Sequence, residues 1–273
     1  MQNLNGQIVV ITGGSGMLGC RYMKAVEDVG GYPINLDIFN ISEDTIDGGN
    51  YYSLNDTYGE IHCDITKEEH IKNALSVIKR CLTNKPIYGL INNAAIDPKF
   101  DKASPDTPKM RLECYSRDFW DKEIAVGLTG AFLCTKHFGS EIAKNGKGSI
   151  INISSVLGLI APNQDLYKKE GIEDDLQSVK PITYSVIKHA IIGLTRYTAT
   201  YWAGKGVRCN AVCPGGVYND HPSDFVNKLS KYIPLGRMAE KGEYNELIKF
   251  LLTDASSFMT GAVIPIDGGQ STW

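Results

Sequence analysis

The sequence predicts an α/β protein: a doubly wound, mostly parallel sheet of seven strands covered by helices on both faces, built as one domain over 1–273. Three observations predict it. Strand-length apolar runs alternate with helix-length segments along the chain, the signature of right-handed βαβ crossovers. The runs are apolar throughout instead of alternating, as expected of parallel strands buried on both sides. A glycine-rich turn stands directly between the first run and the first helical segment. With 42% hydrophobic residues in 273, the chain can bury one large core without a second domain.

In chain order, the runs at 7–12, 33–37, 59–63, 88–92, 149–154, 207–212 and 262–266 read as strands. Helical patterns fill roughly 17–29, 67–83, 118–145, 183–203 and 242–253. Two stretches, 97–117 and 162–181, fit neither pattern. Both are long, charged and rich in turn formers, so they read as functional loop insertions at the active-site edge. The net charge of −3 argues against nucleic acid or a membrane surface as a partner. No apolar run approaches the ~20 residues of a membrane span, and the first strand follows the N-terminus too closely for a signal peptide. The seven cysteines are odd in number and show no Cys-x-x-Cys pair. They read as reduced thiols of a cytoplasmic protein with no metal site.

The turn runs Thr12-Gly13-Gly14-Ser15-Gly16-Met17-Leu18-Gly19. Without Cβ atoms, such a turn lets backbone N–H groups and a helix N-terminus approach a pyrophosphate. Gly13, Ser15, Gly16, Met17, Leu18 and Gly19 are therefore candidate dinucleotide-binding residues. Asp37 closes the second strand, where its carboxylate is placed to accept from adenosine ribose hydroxyls and to repel a 2′-phosphate. No arginine follows it, so NAD is favoured over NADP.

Tyr184 and Lys188 are four residues apart, one helical turn, and share a helix face. A nearby ammonium favours phenolate and makes the tyrosine a plausible proton donor and acceptor. Chance can supply such a pair, and Tyr201/Lys205 is a second one. It lies 17 residues further along the helix, ~25 Å from Tyr184 at 1.5 Å per residue, away from the strand ends where ligands bind.

With these motifs in this order, the chain resembles the short-chain dehydrogenase/reductase family over nearly its whole length. The resemblance implies a Rossmann-type fold and an NAD-dependent oxidoreductase of secondary alcohols and ketones. It makes Ser155, in Asn152-Ile153-Ser154-Ser155, the catalytic serine beside Tyr184 and Lys188. Asp64, with Ile65, is similar to the family's adenine-contacting position. Asn92-Asn93-Ala94-Ala95 resembles the motif that lines the cofactor, and Pro214-Gly215-Gly216-Val217 the turn that meets the nicotinamide. Residues 218–231 fall where members carry a substrate lid. A homodimer or homotetramer is implied as well.

Three departures stand out. Met17 occupies a position usually glycine in compact members, a spacing closer to that of nucleotide-sugar epimerases and dehydratases. Gly127 replaces the family's fourth catalytic residue, an asparagine. The Ser155 to Tyr184 interval is 29 residues, about twice the usual spacing. The first loop offers Lys99, Lys102, Lys109 and Arg111 to an anionic group, and the second carries Lys168, Lys169 and Lys180 alongside Glu170, Glu173, Asp174 and Asp175. Asp97, Tyr167, Tyr218, Asn219 and His221 are polar or aromatic lining. The expected substrate is a small polar molecule, a sugar or sugar acid. The C-terminal region also resembles members linked to bacterial surface-sugar biosynthesis. The alternatives are a nucleotide-sugar epimerase or dehydratase, and a catalytically weak NAD-binding sensor or scaffold.

Overall fold

The computed structural model describes residues 3–38, 46–47, 50–96 and 108–273. Nine strands form one sheet in the order β3-β4-β5-β2-β1-β6-β7-β8-β9 among these residues. The seven expected strands are β1 (Ile8–Thr12), β2 (Tyr32–Asp37), β5 (Gly59–His62), β6 (Ile87–Asn92), β7 (Gly148–Ile153), β8 (Val207–Pro214) and β9 (Val263–Ile266). All seven run parallel. The sequence reading lacked the other two: β3 (Ile46–Asp47) and β4 (Asn50–Leu54) add an antiparallel edge onto β5. Their short runs are broken by Asp47-Gly48-Gly49-Asn50, which carries no run of strand length.

Both faces of the sheet are buried, and the alternation within β1 shows how. Ile8 and Val10 point into one core, with Ile34, Leu90, Phe138 and Ile142. Val9 and Ile11 point into the opposite core, against Tyr22, Val26, Ile248 and Leu252. The second face is covered by α1 (Gly19–Asp28) and α8 (Asn245–Leu252), joined by the Lys249–Asp28 ion pair at 2.8 Å. The first face carries α2 (Glu68–Cys81), the long helix made of α3 (Arg117–Ile124), α4 (Ala131–Cys134) and α5 (Ser140–Lys144), and α6 (Ile182–Tyr201). Two π-helical segments, Ala125–Gly130 and Thr135–Gly139, link the pieces of that long helix. Cys63, Cys134, Cys209 and Cys213 are buried, and Cys20, Cys81 and Cys114 are exposed. Burial pushes the Cys63 thiol up to about 12, which leaves it protonated and inert.

The chain leaves β1 toward β2 and β5 on one side, then crosses to β6 on the other. That reversal opens a crevice at the strand C-termini. Gly13, just after β1, and Ala94, just after β6, meet there: a Cβ on Gly13 would sit 3.0 Å from the Ala94 Cα.

Candidate active site

The glycine-rich turn is held by side chains from three strand ends. Thr12 Oγ1 accepts from the N–H groups of Asn93 and Ala94, both at 3.0 Å. The Asn93 amide returns bonds to the Thr12 and Gly13 carbonyls. The Gly14 N–H donates to Asn35 Oδ1 at 2.8 Å and the Ser15 N–H to Asp37 Oδ2 at 3.1 Å. Asn92 reaches instead into the sheet and first-face core, donating to Thr135 Oγ1 and to Asn152 Oδ1. A Cβ on Gly19 would overlap the Gly13 carbonyl oxygen, so the first helical turn packs directly under the loop.

This cradle fits a nicotinamide dinucleotide. A cavity of about 1130 Å³ is lined by Gly13, Gly16, Met17 and Leu18 at the helix start and by Asp37 and Asp64 at one end. Its volume exceeds the ~300–1,000 Å³ of a typical small-molecule pocket, which leaves room for a substrate beside the dinucleotide. Burial works to raise the Asp64 pKa, but hydrogen bonds from Thr66 and the charge of Lys67 outweigh it, leaving the carboxyl below its ordinary value. Ile65, Asn93, Ala94, Ala95, Pro214, Gly215 and Val217 line the same space. Ser15 and Gly19, expected on the cofactor surface, do not. The Ser15 N–H is spent on Asp37, its hydroxyl accepts from Asn35, and Gly19 lies beneath the turn.

At the other end, Ser155, Tyr184 and Lys188 line one wall. Two bonds lock α6 against the end of β7: Ser154 Oγ donates to the Lys188 carbonyl at 2.7 Å, and Lys188 Nζ donates to the Ile153 carbonyl at 3.0 Å. These bonds, not sequence spacing, bring Tyr184 back to Ser155 across the 29-residue interval. The Ser155 Oγ accepts the Leu157 N–H at 3.2 Å, which leaves its own proton to donate. Lys188 is buried, with its Nζ 5.6 Å from the Tyr184 ring centroid.

Gly127 also has a structural cause. A Cβ there would sit 2.8 Å from Ile187 Cγ2, so the neighbour of Lys188 fills the space an asparagine would need. One turn earlier the same pair of helices is joined by polar groups. Tyr115 OH lies 2.9 Å from Thr183 Oγ1, and Thr183 donates to the buried Glu123 carboxylate in a short bond. Burial above all pushes the Tyr115 phenol up to about 12. Thr183 and Ile187 each precede a residue of the Tyr184/Lys188 pair, so these contacts set the register of the α6 start. Sequence reading missed this chain, because nothing in the spacing of Glu123 and Thr183 announces a contact.

The insertion at 162–181 lines the cavity through Pro162, Asn163, Leu166, Tyr167, Lys169 and Lys180. Two glutamines fasten it. Gln164 bonds both the N–H and the carbonyl of Lys180, at 2.9 and 3.3 Å. The buried Gln177 bonds both backbone groups of Lys169 and the Ile172 carbonyl. The segment after Val217 docks on this loop. Helix α7 (Ser223–Ser230) packs Phe225 against Tyr167 with tilted rings 5.6 Å apart, and Lys228 donates to the Lys168 carbonyl at 2.7 Å. Asn219 and His221 line the cavity, as do Tyr232 and the terminal Trp273, which sequence reading did not single out. Tyr218 does not line it and is part-exposed.

Arg111 is not a cavity group. It bonds Glu113 and the Asp174 carbonyl, tying the end of the first insertion to the second. Lys109 is likewise absent from the lining. Lys168 lines the cavity rim but pairs with Asp165 at 2.9 Å. Asp97, Lys99 and Lys102 lie outside the described residues. Among the described residues, no cluster of three metal-ligating side chains occurs and no helix is long and apolar enough to cross a membrane.

Comparison with known proteins agrees with this geometry. A family profile described as short chain dehydrogenase matches residues 7–167, and one described as enoyl-(acyl carrier protein) reductase matches 175–271. An uncharacterised oxidoreductase of Thermotoga maritima is 30% identical over 98% of this chain and 99% of its own. The cis-4-hydroxycyclohexanecarboxylate dehydrogenase of Sinomonas cyclohexanicum is 28% identical over 97% of this chain and 96% of its own. A crystal structure of a short chain dehydrogenase from Leptospira borgpetersenii with bound NAD+ superposes with a TM-score of 0.80, at 27% identity over 98% of this chain and 93% of that one. The chain belongs to the short-chain dehydrogenase/reductase family and is an oxidoreductase of alcohol CH–OH groups.

Proposed function

We propose that the protein transfers hydride between NAD(H) and a secondary alcohol or ketone on a polar, sugar-like or sugar-acid substrate. The observation that carries this reading is the single cavity in which the glycine-rich cradle and Asp37 at one end face Ser155, Tyr184 and Lys188 at the other. When bound, the nicotinamide accepts hydride from, or returns it to, the substrate carbon. Ser155 holds the substrate oxygen with its free hydroxyl proton and stabilises the charge that develops there. Tyr184 removes the proton from an alcohol, or gives it to a carbonyl. Lys188, fixed by the Ile153 carbonyl, keeps a positive charge near the phenol and favours its ionised form.

NAD is preferred over NADP because the Asp37 carboxylate is already aimed at the turn, accepting from the Ser15 and Ile38 N–H groups. A 2′-phosphate would bring like charge against it. The Leptospira relative holds NAD+. Replacing Asp37→Ser should narrow the ratio of kcat/KM for NAD+ over NADP+ by about tenfold or more, the equivalent of ~1.4 kcal/mol. An unchanged ratio would put cofactor choice elsewhere.

The substrate preference rests on the polar and aromatic lining: Tyr167, Lys169, Asn219, His221 and Trp273. The resemblance to members tied to bacterial surface-sugar synthesis directs the test toward acidic and nucleotide-activated sugars. A panel of polyols, hydroxy acids and such sugars, assayed with NAD+ by NADH absorbance, should give its best kcat/KM with an acidic or polyhydroxylated compound. Faster turnover of long-chain aliphatic alcohols would overturn the preference.

Gly127, closed off by Ile187, favours a second reading: an NAD-binding protein with little turnover. It predicts tight NAD binding with no NADH from any member of that panel. We also propose self-association. Val186, Tyr197 and Tyr201 on α6 and Phe132 on α4 are large apolar side chains left exposed. A monomeric mass by light scattering at micromolar concentration would rule it out.

A further inference from the structure

The insertion places a second ammonium on the phenol. Lys180 Nζ lies over the Tyr184 ring at 3.8 Å from its centroid, and Lys188 Nζ lies at 5.6 Å. Both distances, 3.8 and 5.6 Å, fall within the roughly 6 Å reach of a cation–π contact. The base of Lys180 is anchored, since Gln164 holds its backbone N–H and carbonyl together. Pro181, with φ −58° and ψ 146°, then turns the chain into α6, so Tyr184 falls on the first helical turn next to that anchor.

We propose that Lys180 is a positioning residue for the Tyr184 phenol, an ammonium supplied by the inserted loop that stabilises the phenolate during proton transfer. A cation over a phenol attracts the ring face, but it attracts the full charge of a phenolate more strongly, so its contact favours the ionised form. Two observations make the extra charge matter here. Lys188 gives one of its three N–H bonds to the Ile153 carbonyl. Ile187 occupies the room next to Gly127, so no side chain at 127 supports Lys188 from that side. The loop that lengthens the serine-to-tyrosine interval thereby serves the proton transfer itself, not only substrate admission.

Among the described residues, the other charged or titratable groups that share the cavity come from several elements. Lys188 comes from α6, Lys122 from α3, and Lys168 and Lys169 from the insertion. His221 and Asp224 come from the segment after β8. Glu123 accepts from Thr183, the residue before Tyr184, and acts on the Tyr115 phenol. Asp37 and Asp64 line the opposite end of the cavity.

The proposal rests on Tyr184 being the proton-transfer group, and the test separates the two claims. The pH profile of kcat/KM would be measured for alcohol oxidation in wild type, Lys180→Met and Lys180→Arg, with Tyr184→Phe as reference. Oxidation needs the phenolate, so its rate rises with pH through the tyrosine pKa. Losing the cation raises that pKa, and the acid limb in Lys180→Met should move up by about one pH unit. At pH values below the limb this is about a tenfold loss, while Lys180→Arg keeps the wild-type limb. In parallel, the full chain labelled with 13Cζ-tyrosine would be titrated by NMR. The Tyr184 resonance, identified by its loss in Tyr184→Phe, should ionise at higher pH in Lys180→Met. If Tyr184→Phe abolishes turnover but the limb and the resonance of Lys180→Met stay in place, the role of Lys180 is overturned and that of Tyr184 stands. A raised KM with an unmoved limb overturns it equally, because Lys180 would then contact substrate alone. If Tyr184→Phe keeps turnover, the proposed function itself fails.

Discussion

Tyr184→Phe is expected to lower kcat/KM by about 10²–10⁴, the contribution of a positioned general acid or base. The substitution removes one oxygen and leaves the ring. The ring keeps its contacts with Lys180 and Lys188, and α6 keeps the Ser154 Oγ bond to the Lys188 carbonyl and the Lys188 Nζ bond to the Ile153 carbonyl. Affinity for NAD+ and melting temperature should therefore stay near wild type, and the loss should appear in kcat. Steady-state kinetics together with calorimetric NAD+ binding check both halves. More than about a tenth of wild-type turnover in the variant would remove Tyr184 from the chemistry, since no proton can pass through a phenyl ring.

Gly19→Ala should abolish or severely weaken dinucleotide binding. The new Cβ would overlap the Gly13 carbonyl oxygen and crowd the Gly14 Cα at 2.8 Å, both backbone atoms that cannot swing aside. Relief requires the turn to lift from α1. That would disturb the Ser15 N–H bond to Asp37 and the Asn93 bonds to Thr12 and Gly13. Overpacking of this kind costs about 1–3 kcal/mol, which is ~10–100-fold in affinity. Titration calorimetry with NAD+ would read it, with circular dichroism showing that the sheet persists. Binding within twofold of wild type would mean that the turn does not carry the dinucleotide. Gly146, with φ +76° and open space around its Cβ position, is the control surface turn whose replacement by alanine leaves NAD+ binding unchanged.

Much of this site is legible in the sequence because its parts sit at strand ends. Gly13, Asp37, Asp64, Asn93, Ser155 and Pro214 each follow or close a buried apolar run, so a correct strand order gathers them at one edge of the sheet without any knowledge of side-chain contacts. Tyr184 and Lys188 are legible for a different reason: helical periodicity fixes their common face. What sequence reading missed depends on the path of irregular chain. The contact of Lys180 with Tyr184 exists because Gln164 and Pro181 bend the loop back, and neither residue predicts that path by type. Arg111 looked like an anion-binding group and instead ties two loops together through Asp174. Gly127 stands where the family carries an asparagine, and sequence did not show that Ile187 takes the room such a side chain would need. The β3–β4 edge was missed because β3 has two residues and β4, Asn50-Tyr51-Tyr52-Ser53-Leu54, is not an apolar run.

The central claim is that this cavity couples proton transfer at Tyr184 to net hydride transfer onto NAD+. Its most direct measurement is the stoichiometry of NADH released against carbonyl product formed, with the best substrate of the alcohol and sugar panel. The account predicts one NADH released for each carbonyl formed in wild type, and the same ratio at a rate lower by about 10² or more in Tyr184→Phe. Conversion of a nucleotide sugar to an epimer or dehydrated product with no NADH released would contradict it.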